Sequence, residues 1–443
     1  MRKLFGTDGI RGLANKYPMT IEICQKLAKA IIIKFCPPKE EKHLILIGED
    51  TRLSRSMFSC AMQAVFYSHG VDVLPLGCIT TPKLSIMVEK TQASCGIMIS
   101  ASHNPFYDNG IKLFNKLGLK LTEIEEEELE KIMEEECTLP MPTGIALGRD
   151  NYDNIACIKT YINDIKKAFG LHRETLRNTK VVVDLANGSP FYSNADFFID
   201  AGFNTIFIGN NPTGTNINEN CGATHPNVIS EAVLQHKADI GIAFDGDGDR
   251  LIISDENGKI LDGDHILAIL AITEKCDKVV STIMSNFALE KYLASIGIEL
   301  IKTQVGDKYV SECMVKSRAK FGAEPSGHVI IASHAYTGDG LFAAMRVLKY
   351  MIENNKKCSE LRFFEMYPTV SKNLNVKDKS VILKPNIQKQ IQKFEQQLLN
   401  RGKLIVRASG TEPLIRISAE GEDKEELQKI VNEISLIIES ATQ

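Results

Sequence analysis

The sequence predicts an α/β protein of several domains, closed by a smaller α+β domain. Three observations carry that reading. Short β-branched runs recur, each ahead of a polar, glycine-bearing loop and a longer amphipathic stretch. The length of 443 residues exceeds what one hydrophobic core supports. Near the end the pattern changes to helix, paired strands, helix.

The runs start at Leu44 (LILIGEDTRLS), Cys95 (CGIMISASHNP) and Lys180 (KVVVDLANGSP), and each predicts strand, loop, helix. Such alternation indicates parallel sheets, whose ligands gather beyond the carboxyl ends of the strands. The likeness of LILIGEDTR to VVVDLANGS suggests a repeated α/β unit. From Glu123 to Glu136, Leu129, Ile132 and Met133 stand among many glutamates, which predicts a helix with one apolar stripe and a solvated acidic face. The prolines and glycine of LPMPTG (Leu139 to Gly144) mark a domain edge, with the first boundary near residue 150. A helix from Ile387 to Asn400, the alternating KLIVRASGTEPLIRISAEG and the helix KEELQKIVNEISLIIES form the distinct tail.

Composition narrows the function. A net charge of -4 without basic blocks argues against nucleic acid as a partner. The N-terminal MRKLFGTDGIRG lacks the apolar core of a signal peptide, and no run reaches the ~18 apolar residues of a membrane span, so a cytoplasmic protein is expected. The eleven cysteines include no Cys-x-x-Cys pair and read as free, mostly buried thiols.

Four loops carry chemistry. In Phe244-Asp-Gly-Asp-Gly-Asp-Arg250, Asp245, Asp247 and Asp249 alternate on a backbone freed by two glycines, so three carboxylates converge on one hard cation. Together with Glu256 they match four positions of an EF-hand calcium loop, but Arg250 stands where that loop needs glycine, and the flanks ADIGIAF and LIISD read as strands. An open triad of this kind suits Mg²⁺ shared with a phosphate oxygen. Ser102, in Ser100-Ala-Ser-His-Asn-Pro105, follows a strand; a helix cap is its plain reading, and the G-x-S-x-G elbow of a hydrolase is absent there. Ala323-Glu-Pro-Ser-Gly-His328 offers an acid, a hydroxyl and an imidazole to sugar hydroxyls, or is a surface turn. Arg407-Ala-Ser-Gly-Thr-Glu-Pro-Leu-Ile-Arg416 brackets a turn with donors suited to phosphate, or is a plain hairpin.

With Phe5-Gly-Thr-Asp-Gly-Ile-Arg-Gly12 at the start, these loops in this order resemble the α-D-phosphohexomutase family over nearly the whole chain. RKLFGTDGIRG and SASHNPFYDNGIK are most similar to its amino-sugar branch. The resemblance implies an α/β architecture of four domains around a central cleft: three α/β domains with mixed sheets at 1–150, 151–253 and 254–366, and a C-terminal α+β domain at 367–443. It implies a phosphorylated Ser102, Mg²⁺ on Asp245, Asp247, Asp249 and a phosphoseryl oxygen, and Arg11, Lys112, His103 and His328 about the reaction centre. Arg250, Glu324, Ser326 and His328 would bind the sugar, and Arg407, Ser409, Gly410, Thr411 and Arg416 the phosphate that is not transferred. Ala323 and Pro325 depart from the Gly-Glu-Gln-Ser-Gly-His usual in that branch, which puts the shape of the sugar loop in question.

The implied reaction interconverts the 6- and 1-phosphates of glucosamine, supplying UDP-N-acetylglucosamine synthesis, with glucosamine or glucose 1,6-bisphosphate as a primer. Phosphate passes from Ser102 to one hydroxyl, the bisphosphate turns over, and the other phosphate returns; Lys112 or His328 moves the hydroxyl proton. Closure of the C-terminal domain over substrate is expected to exclude water. The competing functions are the same chemistry on glucose or mannose phosphates, and a sugar-phosphate sensor on a decayed scaffold, against which intact Ser102 and all three aspartates speak.

Overall fold

Strands β1 (Ile10–Leu13), β2 (Leu44–Glu49), β3 (Asp72–Cys78), β4 (Cys95–Ile99) and β5 (Asp108–Asn115) form a sheet in the order β1-β5-β4-β2-β3. In this computed structural model the described residues are 4–6, 8–37, 42–135, 138–153, 157–170, 176–376, 378–408 and 414–442. Alternation sorts β2 between two cores: Ile45 and Ile47 pack with Leu27, Ile31, Phe58 and Phe66 of two helices, while Leu46 packs with Leu84, Met87 and Val88 of a third. With both faces buried, β2 and β4 are apolar nearly along their length.

The sheet is mixed, not purely parallel. β2 runs parallel to β3 and β4, whereas β5 is antiparallel to β4 and to β1. The run at Cys95 therefore leads into a strand, not the expected helix, because Ile111 and Leu113 of β5 alternate into the same core. The run at Lys180 leads into two short helices, Pro190–Ser193 and Ala195–Ala201, in place of one long one.

A second mixed sheet, β10-β9-β8-β6-β7, contains β6 (Lys180–Asp184), β7 (Asn204–Ile208), β8 (Ile240–Phe244), β9 (Leu251–Asp255) and β10 (Ile260–Leu261). The third, β12-β11-β13-β14, contains β11 (Lys278–Thr282), β12 (Glu299–Thr303), β13 (Phe321–Ala323) and β14 (Val329–Ile331). The acidic helix spans Glu123–Glu134 behind a Thr122 capping box, with Leu129 and Met133 buried as its stripe required. Its acidic face is not wholly solvated. Glu130 accepts from the Leu4 and Phe5 amides at 2.8 and 2.9 Å, and Glu126 accepts from Lys308 Nζ at 2.9 Å.

Two units divide the chain: Met1–Met284 with Ile298–Phe363, and Ser285–Gly297 with Phe364–Gln443. The second holds β15 (Thr369–Asn375), β16 (Gly402–Ala408) and β17 (Leu414–Gly421), antiparallel in the order β15-β17-β16. Helices Pro385–Gln397 and Lys424–Thr442 cover one face through Ile391, Phe394, Ile430 and Ile434. The paired strands and both helices match the α+β tail expected, and β15 is an added edge strand. Among the described residues no helix is long and apolar enough to cross a membrane.

Candidate active site

Ser102 lies just past the end of β4, and the aspartates occupy the turn joining antiparallel β8 and β9. Both loops belong to the first unit. Ser102 has a left-handed backbone, φ 51°, and its Oγ donates to Asp245 Oδ2 at 2.6 Å. It caps no helix. Two loops that are 143 residues apart in sequence thus meet through one hydrogen bond.

One ligand oxygen from each of Asp245, Asp247 and Asp249 lies within 4.8 Å of the others, and all three side chains are buried. Gly248 takes φ 75°, which the turn between the last two aspartates requires. Burial, then the Asp249 and Asp247 charges, push the Asp245 carboxyl up to about 8 against the pull of Arg250 and Ser102. Burial and Asp249 push Asp247 the same way, but Lys112 and Thr81 outweigh them and hold it below the usual range. Burial opposes ionisation of Asp249 too, and His328 and Lys112 hold it well below.

Three buried carboxylates drawn together need positive charge. Asp247 Oδ1 and Asp249 Oδ1 are buried without a hydrogen-bond partner, so the donor set fits a divalent cation bound by oxygen. An EF-hand does not fit: strands flank the loop, and Glu256 accepts from Ser359 N and Oγ at 3.1 and 2.6 Å.

Cations ring the triad. Lys112 Nζ, on β5, lies 2.7 Å from Asp247, 3.1 Å from Asp249 and 3.1 Å from Asp8. Burial disfavours its charge, yet Asp247, Asp249 and Asp8 raise its pKa well above the usual value. Arg11 pairs with Asp8 and donates to Asn104 Oδ1 at 3.4 Å. His103, half-buried beside Ser102, is pushed down to about 3 by burial and by Arg250 and Arg11. Arg250 donates its amide to Asp245 Oδ1 at 3.1 Å and forms a β-bridge with His328.

His328 Nε2 lies 3.0 Å from Asp249 Oδ2, and its Nδ1 lies 3.6 Å from Glu324 Oε2. Burial opposes its protonation, but Asp249 and Asp307 push it up to about 9. Glu324 also accepts from Gly306 N at 2.9 Å, and Ser326 is exposed at the turn. The turn closes by Gly327 N to Glu324 O at 2.9 Å, so the N–H that Pro325 lacks is not one it needs. In the second unit Arg407 and Arg416 pair across β16 and β17; Ser409, Gly410 and Thr411 lie outside the described residues.

Four domain models of the phosphoglucomutase/phosphomannomutase family match in order: α/β/α domain I at residues 2–139, domain II at 159–258, domain III at 262–367 and the C-terminal domain at 372–437. A phosphoglucosamine mutase of Gluconacetobacter diazotrophicus is 42% identical over 99% of this chain and 98% of its own length. The chain belongs to the phosphoglucomutase/phosphomannomutase family, the α-D-phosphohexomutases. Among solved structures, a family protein of Burkholderia thailandensis superimposes with a TM-score of 0.80 at 20% identity, covering 100% of this chain and 98% of that one. An Aspergillus fumigatus N-acetylphosphoglucosamine mutase, in complex with GlcNAc-6P and magnesium, gives 0.67 at 16% identity, covering 100% and 96%.

Several residues around this phosphohexomutase site escaped the sequence reading. Thr81 Oγ1 donates to Asp247 Oδ2 at 2.5 Å. Lys120 Nζ bridges Asp8 Oδ1 at 2.6 Å and Asp307 Oδ2 at 2.5 Å, and Asp307 lies 3.8 Å from His328. Asp8 sat inside the quoted FGTDGIRG; Thr81, Lys120 and Asp307 had no motif to mark them. Lys120 ties the N-terminal loop to the third sheet's domain. Lys120→Met should lower stability by about 2 kcal/mol, because it strips a shared cation from buried Asp307 and half-buried Asp8. A urea midpoint equal to wild type would count against that bridge.

Proposed function

We infer that this phosphohexomutase interconverts glucosamine 6-phosphate and glucosamine 1-phosphate through a phosphorylated Ser102. The observation that carries the chemistry is the 2.6 Å approach of Ser102 Oγ to Asp245 inside the aspartate cluster, where one phosphate on the serine reaches the cation site. The 42% identity to a phosphoglucosamine mutase over nearly the full length supports the substrate.

In this reading Asp245, Asp247, Asp249 and an oxygen on Ser102 hold Mg²⁺, which when bound neutralises charge on the phosphoryl oxygens. Lys112, against Asp247 and Asp249, and Arg11, paired with Asp8, add positive charge beside the cluster. Arg250, Glu324, Ser326 and His328 orient the sugar, and Arg407 and Arg416, with Ser409, Gly410 and Thr411, take the idle phosphate. Lys112 and His328, both against Asp249, are the groups able to pass on the hydroxyl proton. His103 sits next to Ser102, where burial, Arg250 and Arg11 keep it neutral while the serine is unphosphorylated. A 1,6-bisphosphate of glucosamine or glucose charges the serine. The described cysteines are free thiols, in keeping with a reducing cytosol.

Side-by-side turnover tests the substrate. Glucosamine 6-phosphate should give the highest kcat/KM among the glucosamine, glucose and mannose 6-phosphates. Glucose phosphate should follow within about 10²-fold, since an amine-for-hydroxyl change alters volume little. A higher kcat/KM on glucose or mannose phosphate would assign the enzyme to those substrates.

A further inference from the structure

We propose that Arg52 and Asn218 are positioning residues for phosphoryl transfer, a two-sided clamp on the main chain that sets Ser102 over the aspartates. The proposal rests on the phosphoserine reading above. Arg52 Nη2 donates to the carbonyls of Ser102 and Asn104 at 3.0 and 2.8 Å. Asn218 Nδ2 donates to the same two carbonyls at 2.9 and 3.3 Å.

A residue at φ 51° turns its carbonyl out of any strand ladder, so the buried Ser102 carbonyl depends on side-chain donors. Without them the loop would relax toward ordinary backbone geometry. Both donors are themselves fixed. Arg52 is fully buried, its Nε 3.3 Å from Asp50 Oδ2 while its amide donates to Asp50 Oδ1 at 2.9 Å. Asn218 has φ 59° and donates its own amide to Ala186 O at 2.9 Å.

The two donors come from different sheets. Arg52 follows β2 of the first, and Asn218 lies between β7 and β8 of the second. Asn218 also packs on the aspartate loop: a Cβ on Gly246 would stand 2.9 Å from its Nδ2. One amide thus holds the Ser102 carbonyl and lies against Gly246, the neighbour of Asp245, fixing the serine loop against the cation loop. Neither clamp residue donates to the Ser102 hydroxyl, so both act through backbone position.

The test uses the full-length, Mg²⁺-loaded protein. Asn218→Gly keeps the left-handed backbone comfortable and removes only the amide; Asn218→Asp keeps the shape but replaces the donor with an acceptor; Arg52→Lys keeps the charge beside Asp50 and loses the fork. Steady-state turnover of glucosamine 6-phosphate and the quenched-flow rate of phosphate transfer from glucose 1,6-bisphosphate to Ser102 are measured for each. Both kcat and the transfer rate should fall about 10- to 100-fold with KM within about threefold, as for a misplaced reacting group. Asn218→Asp should rescue nothing.

Variants that melt earlier but keep kcat and the transfer rate within about twofold would show carbonyl satisfaction alone and overturn the clamp. If wild type takes no phosphate on Ser102, the phosphoserine reading fails and the clamp falls with it. If wild type does and the variants transfer normally, the clamp alone is wrong.

Discussion

Ser102→Ala should reduce interconversion of the hexosamine phosphates by on the order of 10⁴-fold or more, as loss of a covalent nucleophile does. The expectation follows from geometry. Direct passage of phosphate between two ends of one sugar has no in-line path, so a carrier must give phosphate to one hydroxyl and, once the bisphosphate has turned, take the other phosphate back. Ser102 Oγ, 2.6 Å from Asp245, is the serine hydroxyl at that cluster. Alanine deletes this oxygen and leaves φ 51° no worse served than serine does, so far-UV circular dichroism and the melting midpoint should stay near wild type. Mass spectrometry should find phosphate on the wild-type peptide and none on the variant. Substantial turnover by a folded Ser102→Ala protein would remove the serine from the mechanism.

Replacing Asp245, Asp247 and Asp249 together by asparagine should abolish both activity and its response to Mg²⁺, a loss of at least about 10³-fold by analogy with deleted electrostatic groups. Shape is preserved, but three acceptors acquire amide donors that face Lys112 and His328, which are themselves donors. Wild type should lose turnover on chelation and regain it with Mg²⁺. The variant should respond to neither. Asp247→Asn alone leaves Lys112 paired with Asp249 and Asp8, and serves as the milder check on folding. Kinetics indistinguishable from wild type at every Mg²⁺ concentration would dismiss the cation site.

The loops were legible because each concentrates chemistry in a few adjacent residues. Asp245, Asp247 and Asp249 converge through local alternation and a glycine turn, and the sequence alone could show it. The partners were not. Arg52, Lys120 and Asn218 reach the site from separate loops and Thr81 and Asp307 from the first residues of helices, and a single polar residue at such a place looks like any other. Sheet direction was misread at Cys95 for a related reason: a buried strand and a buried helix start from the same apolar run, and only β5 pairing with β4 decides between them. Glu126 and Glu130 looked solvated because their partners, Lys308 and the Leu4 and Phe5 amides, lie more than a hundred residues away.

If Ser102 carries phosphate, as proposed, its torsion also limits which hydroxyl amino acids could replace it. Threonine has the same hydroxyl, but its branched Cβ is a steric misfit at a backbone angle of +51°. Tyrosine would bring a hydroxyl several ångströms too far into a space the carboxylates already fill. Among the hydroxyl side chains, the bend in the chain therefore selects before any reaction chemistry does, and serine is the one that fits.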